Sequence, residues 1–101
     1  LYLELPVTVS DLVLGTTKTI HTLDTEIELK IPSASQPNDK LRIRNKGIAN
    51  VHTGRPGDLY IILKLVLPSK LSKTQKVLFE ELSKTDMEDN EAFKRFDKLN
   101  K

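Results

Sequence analysis

The sequence has no cysteine, no tryptophan and only two histidines. Disulfides and cysteine-based zinc sites are therefore excluded. Two histidines are too few for a His-rich metal site, and no cofactor is expected. The aromatic side chains are two Tyr and three Phe, so any core must be mainly aliphatic. No apolar run reaches the roughly 20 residues that a helical membrane span needs, and no membrane association is expected. Neither sign of charge dominates, since 16 Lys and Arg stand against 14 Asp and Glu. A dedicated nucleic-acid binder concentrates more positive charge than the resulting +2. Residues 1–9 lack the basic start of a secretory signal. They begin inside a strand pattern and without Met, so the chain reads as a fragment of a longer protein. A cysteine-free chain suits the cytoplasm, the expected compartment.

What is present fits one domain of 101 residues. Leu1, Leu3, Leu5, Val7 and Val9 alternate with Tyr2, Glu4, Pro6 and Thr8, a strand with one apolar face. Pro6 cannot donate to a ladder, which predicts an edge strand or a bulge. Ser10 or Asp11 can cap a short helical turn through Leu12, Val13 and Leu14, ended by Gly15. Residues 17–23 read as a second strand, Asp24 and Thr25 as a tight turn, and Ile27, Leu29 and Ile31 as the hairpin partner. Residues 32–39 form a loop. Leu41 and Ile43, alternating with Arg42 and Arg44, form a short fourth strand. A long turn-rich connection over 45–58 leads to residues 59–67. These are apolar on both faces except for Lys64, as in a strand buried on both sides.

After Pro68 the period changes. Ser72 and Gln75 form a capping box. Val77, Leu78, Phe79 and Leu82 give a wide apolar stripe on a helix over about 73–84. Residues 85–90 are a polar break. Ala92, Phe93, Phe96 and Leu99 then recur at helical spacing, and the acids before them and Lys98 after suit the helix dipole.

Few residues suggest chemistry. His21 and His52 have no recognisable nucleophile or acid partner, so both read as structural and an enzyme is not expected. Asp86, Glu88, Asp89 and Glu91 lack the register of a calcium loop and read as a solvated linker. Arg42, Arg44 and Lys46, followed by His52 and Arg55, read first as an outward strand face. The alternative is an anion-binding patch for an acidic peptide or for DNA phosphate, although the sheet offers no interleaved aromatics for base stacking. The stripe of Val77, Leu78, Phe79 and Leu82, with Leu71 added, either packs on the chain's own sheet or joins two copies.

Several segments, in order, resemble the second C-terminal β-domain of DnaJ-type J-proteins. They are Leu1-Tyr2-Leu3-Glu4-Leu5-Pro6-Val7 leading to Leu14-Gly15, Thr22-Leu23-Asp24, and Leu29-Lys30-Ile31-Pro32 with Gln36. Leu41-Arg42-Ile43-Arg44-Asn45-Lys46-Gly47-Ile48, Gly57-Asp58-Leu59-Tyr60, and Leu71-Ser72 with Gln75 complete the series. Together they span about four-fifths of the chain. Departures fall at Ala34, Asn38, Asn45 and Thr25, where that family often carries Gly. Asn38 suits the left-handed region and Ala34 suits it less.

The resemblance implies a mainly β fold: a small β-sandwich-like domain of antiparallel and mixed strands, with a short helix near the N-terminus and one or two C-terminal helices. It implies a peptide-binding β-domain over 1–70 and a helical dimerisation extension over 71–101. It also implies a homodimer joined through Leu71, Val77, Leu78, Phe79 and Leu82, with unfolded polypeptides as clients. A DnaK-type chaperone would be engaged by other parts of the parent, since the His-Pro-Asp tripeptide of J-domains is not in this sequence. Arg42, Arg44, Lys46 and Arg55 remain the candidate anion or peptide contacts. A DNA-binding β-domain of a J-protein relative is the second reading.

Overall fold

In the computed structural model, which describes residues 2–21, 26–44 and 57–100, the elements are mainly strands, with one short helix after the first strand and two helices at the C-terminal end. The order is β1 (Tyr2–Val7), α1 (Val9–Leu14), β2 (Thr16–His21), β3 (Glu26–Ile31), β4 (Lys40–Ile43), β5 (Leu59–Leu65), α2 (Lys73–Ser83) and α3 (Glu91–Leu99). The chain divides into two units, Leu1–Pro68 and Ser69–Lys101.

In the first unit, β5 lies between β1, which is parallel to it, and β4, which is antiparallel. The strands β2 and β3 form a separate antiparallel pair. Pro6 therefore stands on an outer strand, where its missing donor is tolerated. One apolar cluster joins both sheets and α1: Val7, Leu12, Ile20, Leu29, Ile31, Leu59, Ile61 and Leu63. The central position of β5 agrees with its sequence, but its two faces differ. Leu59, Ile61 and Leu63 are buried, while Tyr60, Ile62 and Lys64 are only half-buried. The long apolar side chain of Ile62 thus sits on the outer face beside Lys64, not in a second core.

The short helix is longer than the sequence suggests and is capped elsewhere. Thr8 is the N-cap, not Ser10 or Asp11. The Asp11 N–H donates to Thr8 Oγ1 (3.1 Å), and the Thr8 N–H donates back to Asp11 Oδ2 (3.0 Å). This is a reciprocal capping box with Asp in the third helical position. Lys18 of β2 reaches the same carboxylate at 3.4 Å. The far end of α1 is closed by the loop after β3. Ala34 N–H donates to the Val13 carbonyl (3.1 Å), and Ser35 N–H donates to that of Leu12 (3.0 Å). These bonds satisfy carbonyls that a helix C-terminus leaves without partners. They require the loop to turn sharply, and both Ala34 (φ 59°) and Asn38 (φ 69°) are left-handed. Asn38 then rejoins the sheet, its N–H donating to the Leu63 carbonyl at 2.7 Å.

The Asp11 carboxyl is held below its ordinary pKa, first by the Thr8 backbone N–H. The Thr8 hydroxyl and Lys18 act in the same direction, and partial burial opposes them. A group whose folded pKa is depressed stabilises the fold fully above its unfolded value, near 3.9. That contribution is lost as pH falls through the folded value. Denaturant midpoints followed from pH 7 to pH 2 should therefore drop more steeply below about pH 4 in the native chain than in Asp11→Asn. The gap between the two should close in acid. Parallel curves would remove the role given to this carboxylate.

Candidate functional site

The second unit is built from two short capped helices. Ser72 caps α2: the Gln75 N–H donates to Ser72 Oγ (3.1 Å) and the Ser72 N–H donates to Gln75 Oε1 (2.9 Å). The sequence specifies this box, and it starts α2 at Lys73, as expected. At the other end, Thr85 Oγ1 donates to the Leu82 carbonyl (2.7 Å) and closes the helix. Asn90 caps α3 through its side-chain oxygen, which accepts from the Ala92 N–H at 2.9 Å. Glu91 lies in the first turn of α3 and Lys98 in the last, as the helix dipole favours. In α2 the first turn has no acid and the last turn no base.

Neither helix buries a residue. Leu71, Val77, Leu78, Phe79, Leu82, Met87, Phe93, Phe96 and Leu99 are between 42% and 81% exposed. Scattered exposed apolar residues are ordinary, but a contiguous set marks an interaction surface. Isolated helices below about 12–15 residues are marginal in water. With 11 and 9 residues, α2 and α3 both fall below that length. Their stability therefore depends on what covers their apolar faces.

The basic strand face is less available than the sequence suggests. Arg42 is bonded to Asp58 through Nε (2.7 Å) and Nη2 (2.6 Å). Arg44 is exposed just beyond β4. Lys46, His52 and Arg55 lie outside the described residues, as does the Asp24-Thr25 turn. The same sheet face does carry aromatics, contrary to expectation. Tyr2 and Tyr60 stack with centroids 5.1 Å apart, and Lys40 Nζ lies 5.0 and 5.6 Å from the two rings. The signal was present, since each Tyr alternates away from the apolar face of its own strand. What sequence could not give was the parallel register that sets Tyr2 opposite Tyr60. His21 is exposed and 3.3 Å from Glu26 across the β2–β3 pair. Among the described residues no cluster of His, Asp and Glu could hold a metal, and no helix is long and apolar enough to cross a membrane.

The sheet unit coincides with a known family. The model of the DnaJ C terminal domain matches residues 1–68. This chain belongs to the DnaJ C-terminal domain family. Its relatives extend the match into the helices. Chaperone protein DnaJ of Erysipelothrix rhusiopathiae is 38% identical over 98 residues, covering 97% of this chain and 26% of that protein. The Acholeplasma laidlawii protein of the same name is 39% identical over 84 residues, 83% of this chain and 23% of the relative. That of Geobacillus sp. (strain WCH70) is 35% identical over 104 residues, 100% of this chain and 27% of the relative. This DnaJ C-terminal domain thus spans about a quarter of the length of these relatives. Its mainly β unit and its two C-terminal helices are the parts that the sequence resemblance implies.

Proposed function

We propose that this DnaJ C-terminal domain joins two copies of its parent co-chaperone through the helical end and contributes to holding unfolded clients. The observation that carries the reading is the half-exposed apolar stripe of α2, with Leu71 before it, on a helix too short to stand alone. Burying an apolar side chain contributes roughly 1.5–3 kcal/mol relative to exposure. In a two-fold contact each side chain acts twice, so Leu71, Val77, Leu78, Phe79 and Leu82 supply the apolar centre of such a pair. Two joined copies present two client-holding arms, and engagement of one raises the effective concentration at the other. An extended client can add main-chain hydrogen bonds along the outer strands β1 and β4. Partnership with a DnaK-type chaperone would fall to other parts of the parent, and the role here is binding and architecture.

Sedimentation equilibrium at tens of micromolar provides the test. The native chain should sediment as a dimer. Leu78→Asp places a charge in the stripe and should weaken association by about a hundredfold or more, in the range of a central interface residue. Its sheet unit should keep the native unfolding midpoint. A native chain that stays monomeric, or a variant that associates equally well, contradicts the reading.

A further inference from the structure

The sheet unit carries its two tyrosines as one pair, and the parallel register explains why. Tyr2 of β1 stands opposite Tyr60 of β5, so both side chains leave the same face in the same direction. The rings stack with centroids 5.1 Å apart and planes 20° apart, within the ordinary range for an aromatic pair. Because the rings extend side by side, their phenol ends lie together. Lys40 reaches both, with Nζ 5.0 and 5.6 Å from the centroids, and the attraction of an ammonium for aromatic rings holds such a pair in place. Tyr2 is 60% exposed and Tyr60 half-buried, so a small diffusible oxidant reaches the pair.

Composition supplies a second argument. Cysteine and tryptophan are the other side chains that readily give up single electrons, and the chain has neither. One-electron oxidation therefore falls on Tyr2 and Tyr60, which are its only tyrosines. Met87 is exposed, but a thioether takes up an oxygen atom to become a sulfoxide, which forms no cross-link.

We propose that Tyr2 and Tyr60 form a site of oxidative cross-linking, at which one-electron oxidants such as peroxide-derived radicals join β1 to β5 through a dityrosine bond. Each phenol gives one electron to the oxidant and its hydroxyl proton to water. The two phenoxyl radicals join by a carbon–carbon bond between ring positions next to the oxygens. Each ring then moves the hydrogen of that carbon to its oxygen and regains aromaticity. Two electrons and two protons leave in all, and two equivalents of oxidant take up the electrons. The bond closes a loop from residue 2 to residue 60, around α1, β2, β3 and β4. Such a closure restricts the unfolded chain, so oxidation fastens the outer strand β1 to the centre of its sheet.

The test is a brief illumination of the chain with a ruthenium bipyridyl complex and persulfate, a one-electron oxidant, in buffer and in urea. In buffer the monomer should gain dityrosine fluorescence and lose the mass of two hydrogen atoms. Trypsin should then release residues 1–18 joined to residues 47–64. The linked fraction of the monomer should be unchanged on dilution, severalfold lower in urea and zero in Tyr2→Phe. Followed by circular dichroism, the sheet unit of the linked monomer should unfold at a urea midpoint higher by about 1 M or more. Dityrosine that forms only between chains, or a link within the monomer that is equally frequent in urea, overturns the proposal. A linked monomer with an unchanged midpoint contradicts the fastening of β1.

Discussion

Gly15→Ala is expected to unfold the sheet unit at a much lower urea concentration than the native chain. Gly15 ends α1 and starts the run into β2, at φ 80° and ψ 160°. That region is open essentially to glycine alone, and a side chain there costs on the order of 1–3 kcal/mol. Space makes the cost larger. A Cβ on Gly15 would lie 2.8 Å from both the Ile31 carbonyl oxygen and the Ser33 nitrogen. Both are backbone atoms of the segment whose next residues close α1, so neither can swing aside. The combined loss should be about 3–5 kcal/mol, a large share of a stability on the order of 5–15 kcal/mol. With a urea dependence of roughly 1–3 kcal/mol per molar, the midpoint should fall by at least about 1 M. Tyrosine fluorescence reads this unit selectively, because the only two Tyr, Tyr2 and Tyr60, both lie in it. A midpoint unchanged in Gly15→Ala would contradict the close approach of α1 to the 32–35 loop.

Ile61→Ala should have an effect of similar size for a different reason. Ile61 is fully buried in the middle of β5, paired with Leu3 of β1 and Leu41 of β4. Truncation removes apolar burial and leaves a cavity within the cluster that joins both sheets and α1. Such changes cost about 2–5 kcal/mol, more where the site cannot collapse. A central strand fixed on both sides has little room to collapse, so the upper half of that range is expected. Unfolding by urea checks it in the same way. A loss below about 1 kcal/mol would mean that β5 is not the centre of the core. The same measurement on Leu78→Asp should show almost no change, because Leu78 lies outside the sheet unit and its core.

Much of this fold is legible in the sequence, for identifiable reasons. Alternation over residues 1–9 and 26–31, the capping box at Ser72 and Gln75, and the helical spacing of the C-terminal apolar residues are local signals. Each names its element directly. The cap at Thr8 was harder to read, because Ser10 and Asp11 are equally good capping types and only the observed bonds separate them. The left-handed turn at Ala34 contradicts local preference. Tertiary bonds from Ala34 and Ser35 to the end of α1 hold it there. The parallel pairing of β1 with β5 joins residues nearly 60 positions apart, and no local pattern encodes it. That pairing also creates the Tyr2–Tyr60 stack, so the aromatic face is not legible in the sequence. At the helical end the candidate residues were readable but their surroundings were not. The spacing of Val77, Leu78, Phe79 and Leu82 names their helix but not what covers it.

The central proposal is that the sheet unit folds by its own core while the helical end is covered by a second copy. Amide hydrogen exchange measured over a range of protein concentrations tests both halves at once. Amides of β5 should stay protected at every concentration, because their protection reflects the core around Ile61 and Leu63. Amides of α2 should be protected at tens of micromolar and lose that protection on dilution, as the proposed dimer dissociates. Protection in α2 that does not change with dilution would contradict the account, because the helix would then be held by its own chain.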